Sequence, residues 1–351
     1  MTISTCGKID VHSHFLPQGY AEEMIRAGLS MPEGMQGYPQ WNPELALATY
    51  DGLGISTGIL SISSPGVHYG DDLAAKQLAR RVNEAGADLV RRFPSRFGLF
   101  ASLPLPAIDA SLEELSYALD VLGADGIELK TNAGGIYLGD PKFDPVFDEL
   151  NRRKALVFVH PTSPCSCSRC GLNYPRSVIE FPFDTTRAVM NMIFSGTLAR
   201  CPHLRIIVPH SGGALPMLAK RIASYGAGPQ VDRKGAVDVM GLLRTLYYDT
   251  ANAGSDHTLA STLQLVDSSH MVYGSDWPWA GASAVATNIS DIERASLLTE
   301  NERSAIYREN ALALLPRLRA IEMMPNQCED LDSRGAPNPS DHRRRDTRRL
   351  S

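Results

Sequence analysis

The stretch KIDVHSHF, residues 8–15, is a short β-prone run that closes on two histidines spaced i and i+2. Successive side chains of a strand point to opposite faces, so His12 and His14 share one face of whatever sheet this segment joins. Alone the pair says little, because two core histidines with satisfied hydrogen bonds fit the same pattern. Its meaning comes from repetition. Seven further apolar or β-branched runs follow: TGILSIS (57–63), FGLFASL (97–103), GIELK (126–130), LVFVH (156–160), RIIVPH (205–210), LYYDT (246–250) and MVYGS (271–275). These runs are apolar throughout instead of alternating, the pattern of parallel strands covered by helices on both faces.

Segments of helical period lie between them. Leu78, Val82, Ala85 and Leu89 recur at about one-turn spacing, as do Leu112, Leu115 and Leu119, and further helices are expected to start near Asp144, Asp184, Ala214 and Asp256. Eight strand–helix alternations predict an α/β fold closed as a (β/α)8 TIM barrel, which an open doubly wound sheet rarely matches in regularity. Two connections exceed the usual two to six residues. Residues 13 to about 50, rich in Gly, Pro, Met and aromatics such as Tyr38 and Trp41, are expected to form a cap-like insertion after strand 1. Residues 161–183 form a long loop after strand 5. The barrel is thus assigned to residues 1–320. Residues 321–351 are charge-dense and lack apolar periodicity, which predicts a disordered C-terminal tail.

The whole chain of 351 residues, 43% apolar with 21% charged residues and a formal charge of −5, has the composition of an ordinary globular enzyme. No strong positive field invites nucleic acid. The segment MTISTCGKIDVHSHF lacks the basic-then-apolar pattern of a secretory signal, and no run of about 18 apolar residues could span a bilayer. A soluble, cytoplasmic protein with no membrane association is expected. Six cysteines are too few for a disulfide scaffold. Cys165, Cys167 and Cys170 cluster, but a closed zinc site needs a fourth ligand that is not near them, so reduced loop thiols are the plainer reading.

The polar residues that interrupt the strands fall at one place. His12 and His14 close strand 1, His160 ends strand 5, His210 ends strand 6 and Asp276 follows strand 8. Packing does not require polar groups at the carboxyl ends of barrel strands, whereas catalytic sites of this fold are built there. Neutral imidazoles with a carboxylate suit a borderline divalent ion. Zn2+ is the first expectation, and Mn2+, Fe2+ and Co2+ accept the same donors.

KIDVHSHF, VFVHP, VPHSGG and YGSDWPW together resemble the amidohydrolase-related branch of the amidohydrolase superfamily, over residues 8 to about 318. That branch contains aminocarboxymuconate-semialdehyde, γ-resorcylate and 6-methylsalicylate decarboxylases. ILSISSPG, FGLFASLP and FPFDTTRA are further similar to the 6-methylsalicylate decarboxylase group. The resemblance implies one divalent metal on His12, His14, His160 and Asp276, with His210 unligated beside it. It implies non-oxidative decarboxylation of a small ortho-hydroxy aromatic acid, with Asp276 also donating a proton to the ring carbon and His210 orienting or polarising the substrate. By the same analogy the protein is expected to self-associate as a dimer or higher homo-oligomer.

Other residues are candidates with two readings each. Arg187 in FPFDTTR could hold a substrate carboxylate bidentately, or pair with Asp184 on the surface. Phe181, Phe183 and Trp277 could wall an aromatic ring or pack the barrel rim. Asp249, ending strand 7, is expected to buttress a ligand histidine more than to bind metal itself. Lys130 ends strand 4, where two-metal hydrolases of the superfamily carry a bridging carbamylated lysine. A binuclear hydrolase of an amide, lactone or ester is therefore the alternative to a decarboxylase, and a non-catalytic ligand-binding barrel is a second. No G-x-S-x-G elbow supports serine chemistry.

Overall fold

The computed structural model of the chain describes residues 7–164, 172–226 and 237–323. Eight parallel strands form one sheet in sequence order. They are β1 (Lys8–His14), β2 (Ile55–Ser61), β3 (Phe97–Ser102), β4 (Gly126–Lys130), β5 (Leu156–His160), β6 (Arg205–Val208), β7 (Tyr247–Asp249) and β8 (Met271–Val272). The chain beyond β8 closes the ring on β1. Val11 N–H donates to Tyr273 O at 2.9 Å, Asp276 N–H to His12 O at 2.8 Å, and His14 N–H to Trp277 O at 2.8 Å. This is the (β/α)8 barrel that the alternation predicts.

A helix follows each strand: α1 (Pro43–Leu53), α2 (Asp72–Arg92), α3 (Ile108–Asp120), α4 (Asp144–Arg152), α5 (Glu180–Phe194), α6 (Leu215–Gly226), α7 (Asp256–Leu263) and α8 (Ala282–Arg294). Capping is written locally. Asn42, Asp71, Ser255 and Thr299 each accept a backbone N–H of the first turn they precede. Helix α5 starts one turn before the expected Asp184, because Pro182 is tolerated within a first turn. Between β1 and α1 lie a short helix (Tyr20–Arg26) and a tight turn (Pro32–Gly34). A two-residue hairpin pairs Asn132–Ala133 with Ile136–Tyr137; Gly134 and Gly135 between them take φ of 60° and 86°.

Two layers of core position the site. Inside the barrel, Ile9, Val11, Ile59, Phe100, Leu156, Phe158, Ile207 and Val272 form a plug, closed from below by Leu312, Leu315 and Leu318 of the C-terminal helices. Outside, the strands pack on the helices through a larger continuous cluster. β1 carries a register shift between Asp10 and Ser13. Val11 joins the inner plug, yet the neighbouring His12 ring also packs on Phe158, at 4.9 Å between centroids. A bulge thus aims consecutive residues inward, and Asp10 fixes it by accepting His12 N–H at 3.0 Å. His12 and His14 consequently stand on the apolar floor at the carboxyl mouth.

Candidate metal centre

His12, His14, His160 and Asp276 come together above that floor, each offering one donor atom within 4.8 Å of the others. Each histidine is anchored through Nδ1. His12 Nδ1 lies 2.7 Å from Asp249 Oδ2, His14 Nδ1 lies 3.0 Å from Ser61 Oγ and 3.3 Å from Ser61 O, and His160 Nδ1 lies 2.8 Å from Pro161 O. A carboxylate and two carbonyls can only accept, so each ring keeps a proton on Nδ1 and leaves Nε2 as the inward-facing atom that a cation would take. Nε2 of His12 and of His14 are buried with no hydrogen-bond partner in the protein. Orphaned buried acceptors facing a carboxylate are what a cation requires and what a packed polar core avoids.

The charges agree. Burial holds His14 at a pKa of about 4 and pushes His160 well down, with the neighbouring Lys130, His14 and His12 adding to the effect on His160. Both are neutral donors at neutral pH. Burial also opposes charge on His12, but Asp249 and Asp276 overcome it and raise that imidazole to about 10. The two carboxylates therefore call for a positive charge between them, which a divalent cation on Nε2 would supply. Asp276, although buried, is held well below the usual carboxylate range by His12, His14 and His210. Three imidazole nitrogens and one carboxylate oxygen fit Zn2+ or Mn2+.

The close approach is built into the backbone. A Cβ on Gly274 would meet His12 Cβ at 2.8 Å and Asp249 Cγ at 3.1 Å, so glycine lets the chain just after β8 reach the centre. His210 and Asp276 adopt left-handed φ of 53° and 63°. Asp249 does a second job besides holding His12: its Oδ1 accepts His210 N–H at 2.7 Å and Ala251 N–H at 3.0 Å. His210 Nε2 lies 3.6 Å from Asp276 Oδ2, outside the four-residue cluster.

The amidohydrolase family profile matches residues 9–317. The chain belongs to the amidohydrolase family. This amidohydrolase is 38% identical over 307 residues to decarboxylase yanB of Aspergillus niger, covering 84% of this chain and 83% of that protein. It is 37% identical over 300 residues to 6-methylsalicylic acid decarboxylase acuB of Aspergillus aculeatus, covering 83% and 90%. Among solved structures, 2,6-dihydroxybenzoate decarboxylase complexed with 2,6-dihydroxybenzoate superposes with a TM-score of 0.75 at 25% identity, covering 88% and 99%. Dihydroxybenzoic acid decarboxylase of Polaromonas sp. JS666, solved with manganese and 2-nitroresorcinol, gives a TM-score of 0.77 at 23% identity, covering 91% and 99%. With relatives of this kind the amidohydrolase is a carboxy-lyase.

Asp276 and His210 line a cavity of about 550 Å³ with Glu33, Met35, Phe181 and Trp279 among its walls. Several expected contacts lie elsewhere. Phe183 is 42% exposed, and Phe181 takes the wall instead, its ring 6.1 Å from His160. With α5 beginning at Glu180, positions 181 and 183 sit about 200° apart on a helix and cannot share a face. Trp277 is buried against Tyr50 of α1, ring centroids 5.6 Å apart, and Trp279 faces the cavity in its place. Arg187 falls in the second turn of α5, half-exposed, 4.0 Å from Asp184 and beside Tyr137 and Asp140 on a separate surface recess. Arg187 is not among the residues that line the cavity beside Asp276 and His210.

Lys130 does not join the metal donors. Its ammonium lies 2.5 Å from Glu128 Oε1 and 2.5 Å from Ile62 O, and the pair borders a different cavity of about 280 Å³. Burial lowers Lys130, against the opposing pull of Glu128. The cysteine cluster at 165, 167 and 170 lies outside the described residues. Sequence reasoning missed Glu33, a buried acid in the segment before α1. Its carboxylate accepts from Ser64, Thr162 and Ser163, and Arg176 approaches to 3.7 Å. The available signal was a lone acid in an apolar, Gly- and Pro-rich stretch. No helix among the described residues is long and apolar enough to cross a membrane.

Proposed function

We propose that this enzyme removes CO2 non-oxidatively from an ortho-hydroxy aromatic carboxylic acid, with 6-methylsalicylate giving 3-methylphenol as the specific reaction. One observation carries the proposal. The donor cluster of His12, His14, His160 and Asp276 opens on a cavity whose walls combine Phe181 and Trp279 with the unligated His210, which is room for an aromatic ring beside an acid and a second polar group. The similarity to 6-methylsalicylic acid decarboxylase supports a methyl group as the ring substituent.

A divalent ion, Zn2+ first and Mn2+ on the same donors, would supply Lewis acidity toward a carboxylate and an adjacent phenolic oxygen. The remaining steps belong to side chains. Asp276, ionised at rest, takes the phenolic proton of the bound acid and passes it to the ring carbon that bears the carboxylate. The carbon–carbon bond then breaks, its electron pair restores the aromatic ring, and CO2 leaves. The phenolate product takes a proton from water and Asp276 is left ionised as it began, so each turnover consumes one proton and no oxidant. His210, held by Asp249 through its backbone, faces the same cavity and orients or polarises the acid. The Lys130–Glu128 ion pair supports this reading over a two-metal hydrolase bridged by Lys130.

Incubating the metal-loaded enzyme with 6-methylsalicylate in D2O is expected to yield 3-methylphenol carrying deuterium at the carbon that lost the carboxylate. Product from another ortho-hydroxy acid but none from 6-methylsalicylate would remove the substrate and leave the chemistry. No product from any such acid would remove both.

A further inference from the structure

Six non-glycine residues among those described adopt left-handed φ, and four of them (Glu33, His210, Asn252 and Asp276) line the metal cavity. Such conformations persist only where the surroundings impose them. Asp249 Oδ1 and His12 O accept the N–H groups of His210 and Asp276 and hold those two backbones. Asn252 is placed differently.

Asn252 follows β7 in a turn closed by Ala253 N–H donating to Thr250 O at 3.1 Å, with φ of 51°. Asparagine is one of the few side-chain-bearing residues that enter this region cheaply. Its side chain then reaches Asp276, Nδ2 donating to Oδ2 at 3.2 Å. The two oxygens of Asp276 are thereby divided. Oδ1 faces the donor cluster, 3.4 Å from His12 Nε2 and 3.3 Å from His14 Nε2. Oδ2 faces Asn252 and, at 3.6 Å, His210 Nε2. A carboxylate turns readily about its last torsion, so a donor on one oxygen decides which oxygen the metal would meet and which is left toward the substrate.

We propose that Asn252 is a positioning residue for Asp276, holding Oδ2 toward the cavity so that Oδ1 is presented to the metal; this rests on the assignment of Asp276 as a metal ligand and proton donor. Asn252 acts through Asp276 and needs no contact with the substrate.

Two variants test it. Asn252→Gly removes the donor while accepting φ of 51° without strain, and Asn252→Asp keeps size and backbone tolerance but cannot donate to a carboxylate. Metal-free Asn252→Gly is expected to melt within about 2 °C of the parent, since the backbone geometry is retained. Its apparent Kd for Co2+ is expected to rise about tenfold or more, with a shifted visible absorption band of the bound ion. Fully loaded with metal, Asn252→Asp is expected to lose about tenfold or more in kcat for the decarboxylated acid, with KM within about twofold. Parental Co2+ affinity and spectrum in Asn252→Gly, or parental kcat in Asn252→Asp, would overturn the proposal. The Co2+ measurements use no substrate, so a parent enzyme that decarboxylates nothing would defeat the proposed reaction and leave this test deciding.

Discussion

Replacing Asp249 by Asn changes one atom and should disarm the centre. Asp249 uses Oδ2 to hold His12 Nδ1 at 2.7 Å and Oδ1 to accept the backbone N–H groups of His210 and Ala251. The two N–H donors fix which way an asparagine must sit: its carbonyl has to take the place of Oδ1, and its NH2 then faces His12. An NH2 cannot accept from Nδ1–H, so the imidazole is driven to the tautomer with its proton on Nε2, the atom the metal needs. The His12 pKa, now raised to about 10 by both carboxylates, also loses part of its support. Loss of the partner that orients a ligand histidine costs 10- to 100-fold in metal affinity, and enforcing the wrong tautomer places this variant at the upper end, about 2.7 kcal/mol. Competition with a chromophoric chelator measures the affinity, and metal content after dialysis measures occupancy. Asp249→Ala separates orientation from folding, because it orphans two backbone donors at about 1–3 kcal/mol each where Asp249→Asn does not. An Asp249→Asn protein that keeps metal with parental affinity would refute the tautomer argument.

Lys130→Met should leave about one metal ion per subunit by elemental analysis but lower Tm, because Glu128 is left buried and unpaired at a cost of about 3–5 kcal/mol; the double variant with Glu128→Gln should recover most of the loss. Glu33→Ala should raise KM about tenfold with a smaller change in kcat and speed proteolysis between residues 27 and 42, since Glu33 ties that segment to Ser64, Thr162 and Ser163. In the metal-free protein His14 titrates at about 4 against 6.5 unfolded, so the unfolded chain binds more protons between those values and stability rises with pH across them. His12 works oppositely, its contribution complete below 6.5 and lost as pH rises toward 10, so metal-free Tm plotted against pH should peak near 6.5.

The strands were legible because parallel barrel strands are apolar on both faces, and the four donors were legible because polar residues at the ends of such strands have no packing reason to be there. What escaped was set by geometry that periodicity does not carry. Trp277 and Trp279 are two residues apart, yet one packs on Tyr50 and the other faces the cavity, because the chain there leaves strand geometry to close on β1. Phe181 and Phe183 were alike in the sequence, and only Phe181 meets the cavity once α5 begins a turn early. Glu33 and Asn252 acquire meaning from left-handed turns and from partners 130 and 24 residues away in sequence. The bulge at Asp10–Ser13 is the subtlest case, since strict alternation puts Val11 and His12 on opposite faces and the structure does not.

That bulge bears on what the metal does for the fold. The ring closes where Asp10 Oδ1 takes Ser275 N–H at 3.0 Å and where His12 O and Trp277 O accept Asp276 and His14 N–H groups. β8 itself is only Met271–Val272, so the seam has few ladder bonds of its own. The donor cluster straddles it, His12 and His14 on one side and Asp276 on the other. A cation bound across the seam stabilises only the closed ring, by about 2.7 kcal/mol at a free concentration of 100 times Kd. Removing the metal with a chelator should therefore lower Tm, and it should speed amide exchange at Val11, His14 and Asp276 more than at the β3–β4 pairing on the far side of the barrel. Uniform acceleration across both would mean that the ion sits on a seam already closed without it.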